Sequence, residues 1–389
     1  MQECFDEIGI EHESWVFILW NGKVTMTLNG SFFAIALHKH GIKSIIYEHH
    51  PEGIVGGSMG LTSNALRCLE HIGVYEELRP LGVPVDGFPI MNLKGDTVKT
   101  FVLGSEEKYG YSALRIRRNL LRQTLLKAIA QLGIEIKCNM RCFSVEETSI
   151  ARQYDLCPEK VLRRRDCIQS TMGIGHFGFA KIESLIHGPD ASEMKLIIGS
   201  GGAFGVIPAA DDEVWFFNTA ETHDRSKEEW KALEGDQEQL KETLKHPFAD
   251  EPWPDIVREL VTITPVENYF CWPFQNVPEI ESWVSSRGRL VILGDAAHHI
   301  PPSAGQGTAM AFEDALTLAN TISTIRKQAE KSPTGNMKNA LLKWEKARKT
   351  RIERVLIERE RQKLRAENDD NEVDWFYSYD AGAFDVEKD

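Results

Sequence analysis

The chain has 389 residues, 42% hydrophobic and 26% charged, with a formal net charge of −13. That length suggests about two structural units, and the composition is that of an ordinary globular enzyme. The acidic balance argues against a general nucleic-acid binder, which needs clustered Lys and Arg, and offers no attraction to anionic membranes. No apolar run is long enough to read as a spanning helix. Met1–His12 carries Glu3, Asp6, Glu7 and Glu11 where a secretory signal would have a basic start and an apolar core, so the expected location is cytoplasmic. The seven cysteines are scattered, against a disulfide scaffold. Cys138 and Cys142 find no second close Cys or His pair to complete a zinc site.

In chain order, Gly30–His40 has helical spacing of Phe33, Ile35, Ala36 and Leu37, and Gly41 stops it. Lys43–Glu48 follows as a short strand, Ile45-Ile46-Tyr47, ending in an acid, as in the second half of a βαβ unit. Asn64–Leu78 reads as a helix interrupted near Gly73. Leu121, Leu125 and Ile129 place an amphipathic helix over Arg118–Gln131, with a short strand at Ile134–Lys137. From Lys195 to Asn218 the pattern changes to strands, Leu196–Ile198, Phe204–Ile207 and Val214–Phe217, which predict an antiparallel sheet and a second unit. His223–Pro254 is polar and mostly helical. Leu290–Leu293 is a buried strand, and Ala311–Ile325 and Lys338–Arg365 are long helices. The Glu and Arg density of the last reads as a solvated face with i,i+4 ion pairs. Parallel βαβ first, antiparallel sheet in the middle and strand and helix late predict an α/β fold whose nucleotide domain is discontinuous in sequence. The expected limits are 13–85, 110–175 and 285–365 for that domain, 86–109 and 176–284 for the inserted unit, and 366–389 for a tail.

The densest signal runs from Gly294 to Ala315. Gly294, lacking a Cβ, lets the backbone approach a ligand at the end of the buried strand. Asp295 is placed to accept from a ribityl hydroxyl, and Pro301 and Pro302 stiffen the loop. Gly305-Gln306-Gly307, with Thr308 after it, exposes backbone N–H groups where a helix begins. That end carries about half a positive charge, suited to the pyrimidine edge of a reduced, anionic flavin.

The pattern resembles the Gly-Asp motif of the para-hydroxybenzoate hydroxylase-like, single-component FAD monooxygenases. The resemblance implies a Rossmann-like FAD-binding domain with an inserted antiparallel-sheet substrate domain and C-terminal helices. It also brings in other segments. Glu48 ends its strand where an acid holds the adenosine ribose. Gly56–Leu66 looks like the Gly-rich loop and helix start beside the isoalloxazine, with Gly60 and Leu61 in contact, although Ser63 or Asn64 reads equally as an N-cap. Arg118 resembles the family's flavin-contacting arginine, beside a solvated-charge reading of Arg115, Arg117 and Arg122. Gly202–Pro208 and Glu213–Phe216 resemble the substrate-domain sheet, and Asp374–Ala381 the tail of fungal natural-product members.

Two motifs depart from the family. Counting back from Gly30, the first two glycines of G-x-G-x-x-G fall on Thr25 and Thr27, whose β-branched side chains resist positive φ. The preceding strand, Trp15–Leu19, is displaced by Trp20–Val24. In the second motif Asp166 is followed by Cys167 where the family has Gly, and several extra residues separate it from Tyr154-Asp155-Leu156. Divergence and mis-joined coding segments near 13–29 and 157–166 both account for this, and no catalytic residue is assigned.

By resemblance, NAD(P)H reduces bound FAD, and one oxygen atom from O2 enters an aromatic or alkene-bearing small molecule of terpenoid or polyketide type by hydroxylation or epoxidation, in secondary metabolism. A non-catalytic paralogue with weak or absent FAD binding, and an FAD-dependent dehydrogenase or reductase, are the alternatives. Phe204, Trp215, Phe217, Phe270, Trp272 and Phe274 are candidates for pocket walls or for ordinary core. His298 and His299 are candidates for structural residues or a proton relay.

Overall fold

Leu290–Leu293 pairs in parallel with Val16–Leu19, and the two strands end together just before the Gly294 turn. The computed structural model describes residues 16–19, 26–48, 57–140, 171–187, 193–199, 202–208, 213–220, 225–245, 248, 252–275, 280–298, 300, 304–331, 336–364 and 373–388. The altered motifs at Thr25 and at Asp155 and Asp166–Ser170 lie outside these residues, as do Cys142, His299 and Pro302.

In chain order, β1 is Val16–Leu19, β2 Ile45–Glu48, β3 Ser58–Leu61, β4 Val83–Pro84, β5 Gly87–Met91, β6 Thr97–Val102 and β7 Leu114–Arg117. Then come β8 Glu135–Cys138, β9 Thr171–Lys181, β10 Lys195–Gly199, β11 Gly202–Pro208, β12 Glu213–Ala220, β13 Phe270–Gln275 and β14 Leu290–Leu293. Two parallel pairs, β1 with β14 and β2 with β8, carry the Rossmann-like part, and β3 and β4 flank β7 beside them. Helix Met26–Lys39 starts four residues before Gly30 and stops where Gly41 takes a φ of 71°. It packs against the long helix Gly307–Lys331, with Phe32 stacked on Phe312 at 4.3 Å. Such a pair contributes about 0.5–1.5 kcal/mol beyond its burial. Helix Arg118–Gln131 has the limits its apolar spacing predicts and buries Leu121, Leu125 and Ile129.

A seven-stranded sheet, in the order β13-β9-β12-β11-β10-β5-β6, forms the second layer. It is antiparallel, as its alternation predicts, except where β5 runs parallel to β10. One face packs on helices Lys227–Gly235, Gln237–Lys245 and Asp255–Ile263 through Val206, Val214 and Phe216. Phe204 lies on that face, fully buried and stacked on Phe216, so it is core and not a pocket wall. Trp215 and Phe217 alternate onto the opposite, half-exposed face. There Phe217 lies flat in space that only a glycine leaves free, because a Cβ on Gly205 would meet its ring at 2.1 Å. The side chains of Phe270, Trp272 and Phe274 lie outside the description.

Helix Met337–Leu364 departs from the solvated-face reading. Arg348 is 1% exposed, and Arg351 and Arg359 are also buried. Leu341, Trp344 and Val355 form its apolar stripe, and the arginines fall on the same side. Val373, Phe376, Tyr377, Ala381 and Phe384, near the C-terminus, are buried in the core that also holds Leu293 and Phe312.

Candidate functional site

The chain turns sharply after β14. Gly294 takes a φ of 61°, a left-handed conformation in which a side chain is strained, and its missing Cβ would sit 3.3 Å from the Ala311 Cβ. The short turn Gly294–Ala296 then presents Asp295, which is half-buried. Arg118 heads its helix directly after β7, and its backbone N–H donates to the Gly57 carbonyl at 3.1 Å. Burial pushes the Arg118 guanidinium below its ordinary pKa, and the Asp295 carboxylate partly counters that shift. The structure therefore brings these two candidates, 177 positions apart in sequence, into electrostatic contact.

The remaining candidates are distributed around this pair. Gly305 is exposed with a φ of 64°, and Gly307 opens the helix Gly307–Lys331 with no atom within 4 Å of where a Cβ would lie. Thr308 is half-buried in its first turn. The first N–H groups of that helix have no acceptor within the helix itself. Gly60 is exposed in β3, whereas the Leu61 side chain is 0% exposed and belongs to the core, so Leu61 offers a ligand only its backbone. Glu48 is buried at the end of β2, where its carbonyl accepts from Met140 N–H at 3.0 Å.

Neither Ser63 nor Asn64 caps the following helix, Ser63–His71. Its N-cap is Thr62, which makes no side-chain capping bond. Ser63 instead donates to the Tyr111 carbonyl at 2.7 Å, and Asn64 Nδ2 donates to Glu313 Oε1 at 2.8 Å. Gln306, between the two loop glycines, spans weakly to this corner, with Nε2 donating to Thr62 Oγ1 at 3.4 Å.

Beneath the turns lies a buried ionic cluster. Asp314 Oδ2 accepts from Gly294 N–H at 3.0 Å and lies 2.5 Å from His298 Nε2. Asp314 Oδ1 accepts from Arg348 Nε at 2.7 Å. Glu313 Oε2 accepts from Arg348 Nη1 at 2.9 Å and from Arg351 Nε at 2.6 Å. Arg351 Nη2 goes on to the Phe376 carbonyl at 3.1 Å. Burial alone would raise both carboxyls. For Asp314, His298 and Arg348 outweigh it and hold the group down to about 2, and for Glu313, Arg351 and Arg348 likewise leave it below the usual range. His298 is thus buried and bonded inside the cluster, the structural one of its two expected roles. Glu313 and Asp314 stand inside the sequence motif, but its repeat of glycines and prolines gives no hint of their partners. The available signal was Arg348 and Arg351 falling on the apolar stripe of the last long helix.

The depressed Asp314 pKa has a direct consequence for stability. The carboxyl's contribution, about 2 kcal/mol for a shift of this size, is present above its unfolded value near 4 and is lost as pH falls toward 2. The urea midpoint should therefore drop between pH 5 and pH 3, and the drop should be smaller in Asp314→Asn.

The seven-stranded sheet closes over these turns. The Trp215 ring comes within 3.8 Å of a Cβ position on Gly57, and the Phe101 ring within 4.0 Å of one on Gly305. Phe101 is stacked on Phe88 at 5.1 Å, and Glu213 pairs with Arg117 at 3.2 Å. Among the described residues no group of His, Cys, Asp and Glu could hold a metal ion, and no helix is long and apolar enough to cross a membrane.

Residues 190–356 match the FAD binding domain family. The FAD-dependent monooxygenase notI of Aspergillus sp. (strain MF297-2) is 26% identical over 329 residues, covering 76% of this chain and 73% of that protein. The FAD-dependent urate hydroxylase of Mycolicibacterium vanbaalenii is 28% identical over 317 residues, covering 75% and 76%. Among solved structures, CtdE in complex with FAD and substrate 4 has the same fold, with a TM-score of 0.71 over 95% of this chain and 96% of that one at 20% identity.

Proposed function

We propose that this chain is an FAD-dependent monooxygenase that inserts one oxygen atom from O2 into a small aromatic or alkene-bearing molecule at the expense of NAD(P)H. The observation that carries the reading is the junction of β14 with the helix Gly307–Lys331. A glycine turn, a carboxylate coupled to a desolvated arginine and an open helix N-terminus converge there. That set of groups fits a flavin: a polar tail for Asp295, an electron-rich, carbonyl-bearing ring edge for the helix start, and close backbone approach at the glycines.

When bound, FAD supplies electron transfer from NAD(P)H and the activation of O2. The protein binds and orients. Asp295 would accept from the ribityl chain and Glu48 from the adenosine ribose, and the backbone of Gly60 and Leu61 would meet the ring. Gly305, Gly307 and Thr308 would offer N–H groups that favour negative charge. Arg118 keeps a cation near Asp295. The FAD-binding domain is assigned to 13–85, 110–175 and 285–365, and the substrate unit to 86–109 and 176–284. Trp215 and Phe217, on the sheet face away from the helices, would wall a flat apolar substrate and exclude water from it.

One relative is named for the hydroxylation of urate, a ring-bearing small molecule. Hydroxylation or epoxidation in secondary metabolism is the corresponding assignment. Incubation with candidate ring substrates, NAD(P)H and labelled O2 tests it. A product heavier by a single oxygen atom drawn from O2 supports the proposal, whereas a product changed only by two hydrogens identifies a dehydrogenase or reductase instead.

A further inference from the structure

We propose that Arg348 is a positioning residue for the cofactor turn: by bridging Asp314 and Glu313 it fixes both the Gly294–Ala296 turn that presents Asp295 and the corner that follows Gly60 and Leu61. The proposal rests on the flavin reading above.

The two carboxylates are neighbours in sequence, both are 0% exposed, and they serve different arms. Asp314 commits one oxygen to Gly294 N–H and His298 and the other to Arg348. Glu313 Oε1 accepts from Asn64, in the first turn of helix Ser63–His71, and from Arg351 Nη2, while Oε2 accepts from Arg348 and from Arg351 Nε. Two anions in one helical turn repel, and Arg348 is the counter-charge bonded to both, while Arg351 grips Glu313. Only a planar guanidinium can donate from Nε to one carboxylate and from Nη1 to the other at once. Arg348 Nη2 completes the arrangement by donating to the Met310 carbonyl at 3.3 Å, one turn below the helix start. Its three nitrogens are thereby spread over both carboxylates and the backbone under the site.

The consequence is preorganisation. Gly294 sits in a left-handed conformation that its sequence alone does not enforce, and its N–H is anchored by a carboxylate whose other oxygen Arg348 holds. If that hold is lost, Asp314 can rotate, the turn loosens and Asp295 no longer meets its ligand in one geometry. Arg348 bonds to Asp314, Glu313 and Met310, so it acts through them.

Arg348→Lys tests this in the full-length protein, since it keeps the charge and loses the fork. FAD is the probe, titrated by quenching of flavin fluorescence, and hydrogen–deuterium exchange is followed across 290–298 and 337–364. The expected result is an FAD dissociation constant raised about tenfold. Faster exchange should appear at 290–298, with helix Met337–Leu364 unchanged. Arg348→Met should weaken FAD further where it folds, and Arg348→Lys decides the matter where it does not. An Arg348→Lys protein that binds FAD within about twofold of the parent, with unchanged exchange at 290–298, overturns the positioning role alone. A parent protein that binds no FAD overturns the flavin reading, and the proposal with it.

Discussion

Replacing Glu313 by Ala is expected to destabilise the protein by about 3–5 kcal/mol. The side chain is fully buried and accepts from Arg348, from two nitrogens of Arg351 and from Asn64. Its loss leaves Arg351 facing Arg348 with one carboxylate, Asp314, that is already shared with Gly294 and His298. A buried guanidinium without its counter-ion costs far more than the pair contributes over an apolar replacement, so truncating one partner is the severe change. The urea midpoint should fall while the steepness of the transition stays the same. Glu313→Gln should lose less, because the amide oxygen still accepts one of the bonds. A Glu313→Ala midpoint equal to that of the parent would show that the cluster holds nothing together.

Asp295→Ala should leave the fold intact and weaken FAD binding by about 10- to 100-fold, corresponding to about 1.5–3 kcal/mol for hydrogen bonds to a charged group. Asp295 is half-buried on the surface of the turn and forms no part of the hydrophobic core, so its removal opens no cavity. It also frees Arg118 from the one carboxylate that counters its desolvation. Titration with FAD, alongside a far-ultraviolet dichroism spectrum matching the parent, checks both halves. Unchanged FAD affinity would remove Asp295 from the site.

Much of this site was legible in the sequence because glycine, proline and aspartate at the end of an apolar strand have few other uses. Leu290–Leu293, Gly294, Asp295 and Gly305–Thr308 stand where that pattern puts them, and helix Arg118–Gln131 has its predicted limits. The runs Leu196–Ile198, Phe204–Ile207 and Val214–Phe217 also predicted three strands of the large sheet, but not which face meets the helices. Phe204 and Phe217 lie in neighbouring strands with similar surroundings in sequence, yet one is core and the other lies on the half-exposed face. Periodicity gives two faces and does not name the partner of each.

The ionic cluster was hidden for a different reason. Charged residues in a helix usually face water, so Arg348 and Arg351 read as solvent-side until Glu313 and Asp314 are seen beneath them. Those pairs close over 34 to 38 positions of chain, a distance at which no local spacing rule operates. Asn64 was misread for the same reason. As a short polar residue at a helix start it suggests a cap, and its actual acceptor, Glu313, lies 249 residues away.

The absorption spectrum of the purified full-length protein, before and after addition of FAD and desalting, bears most directly on the account. Retained yellow colour with the flavin bands in the blue and near ultraviolet is the predicted result, together with bleaching under NAD(P)H without oxygen. A colourless protein that takes up no FAD and shows no quenching of added flavin would contradict it.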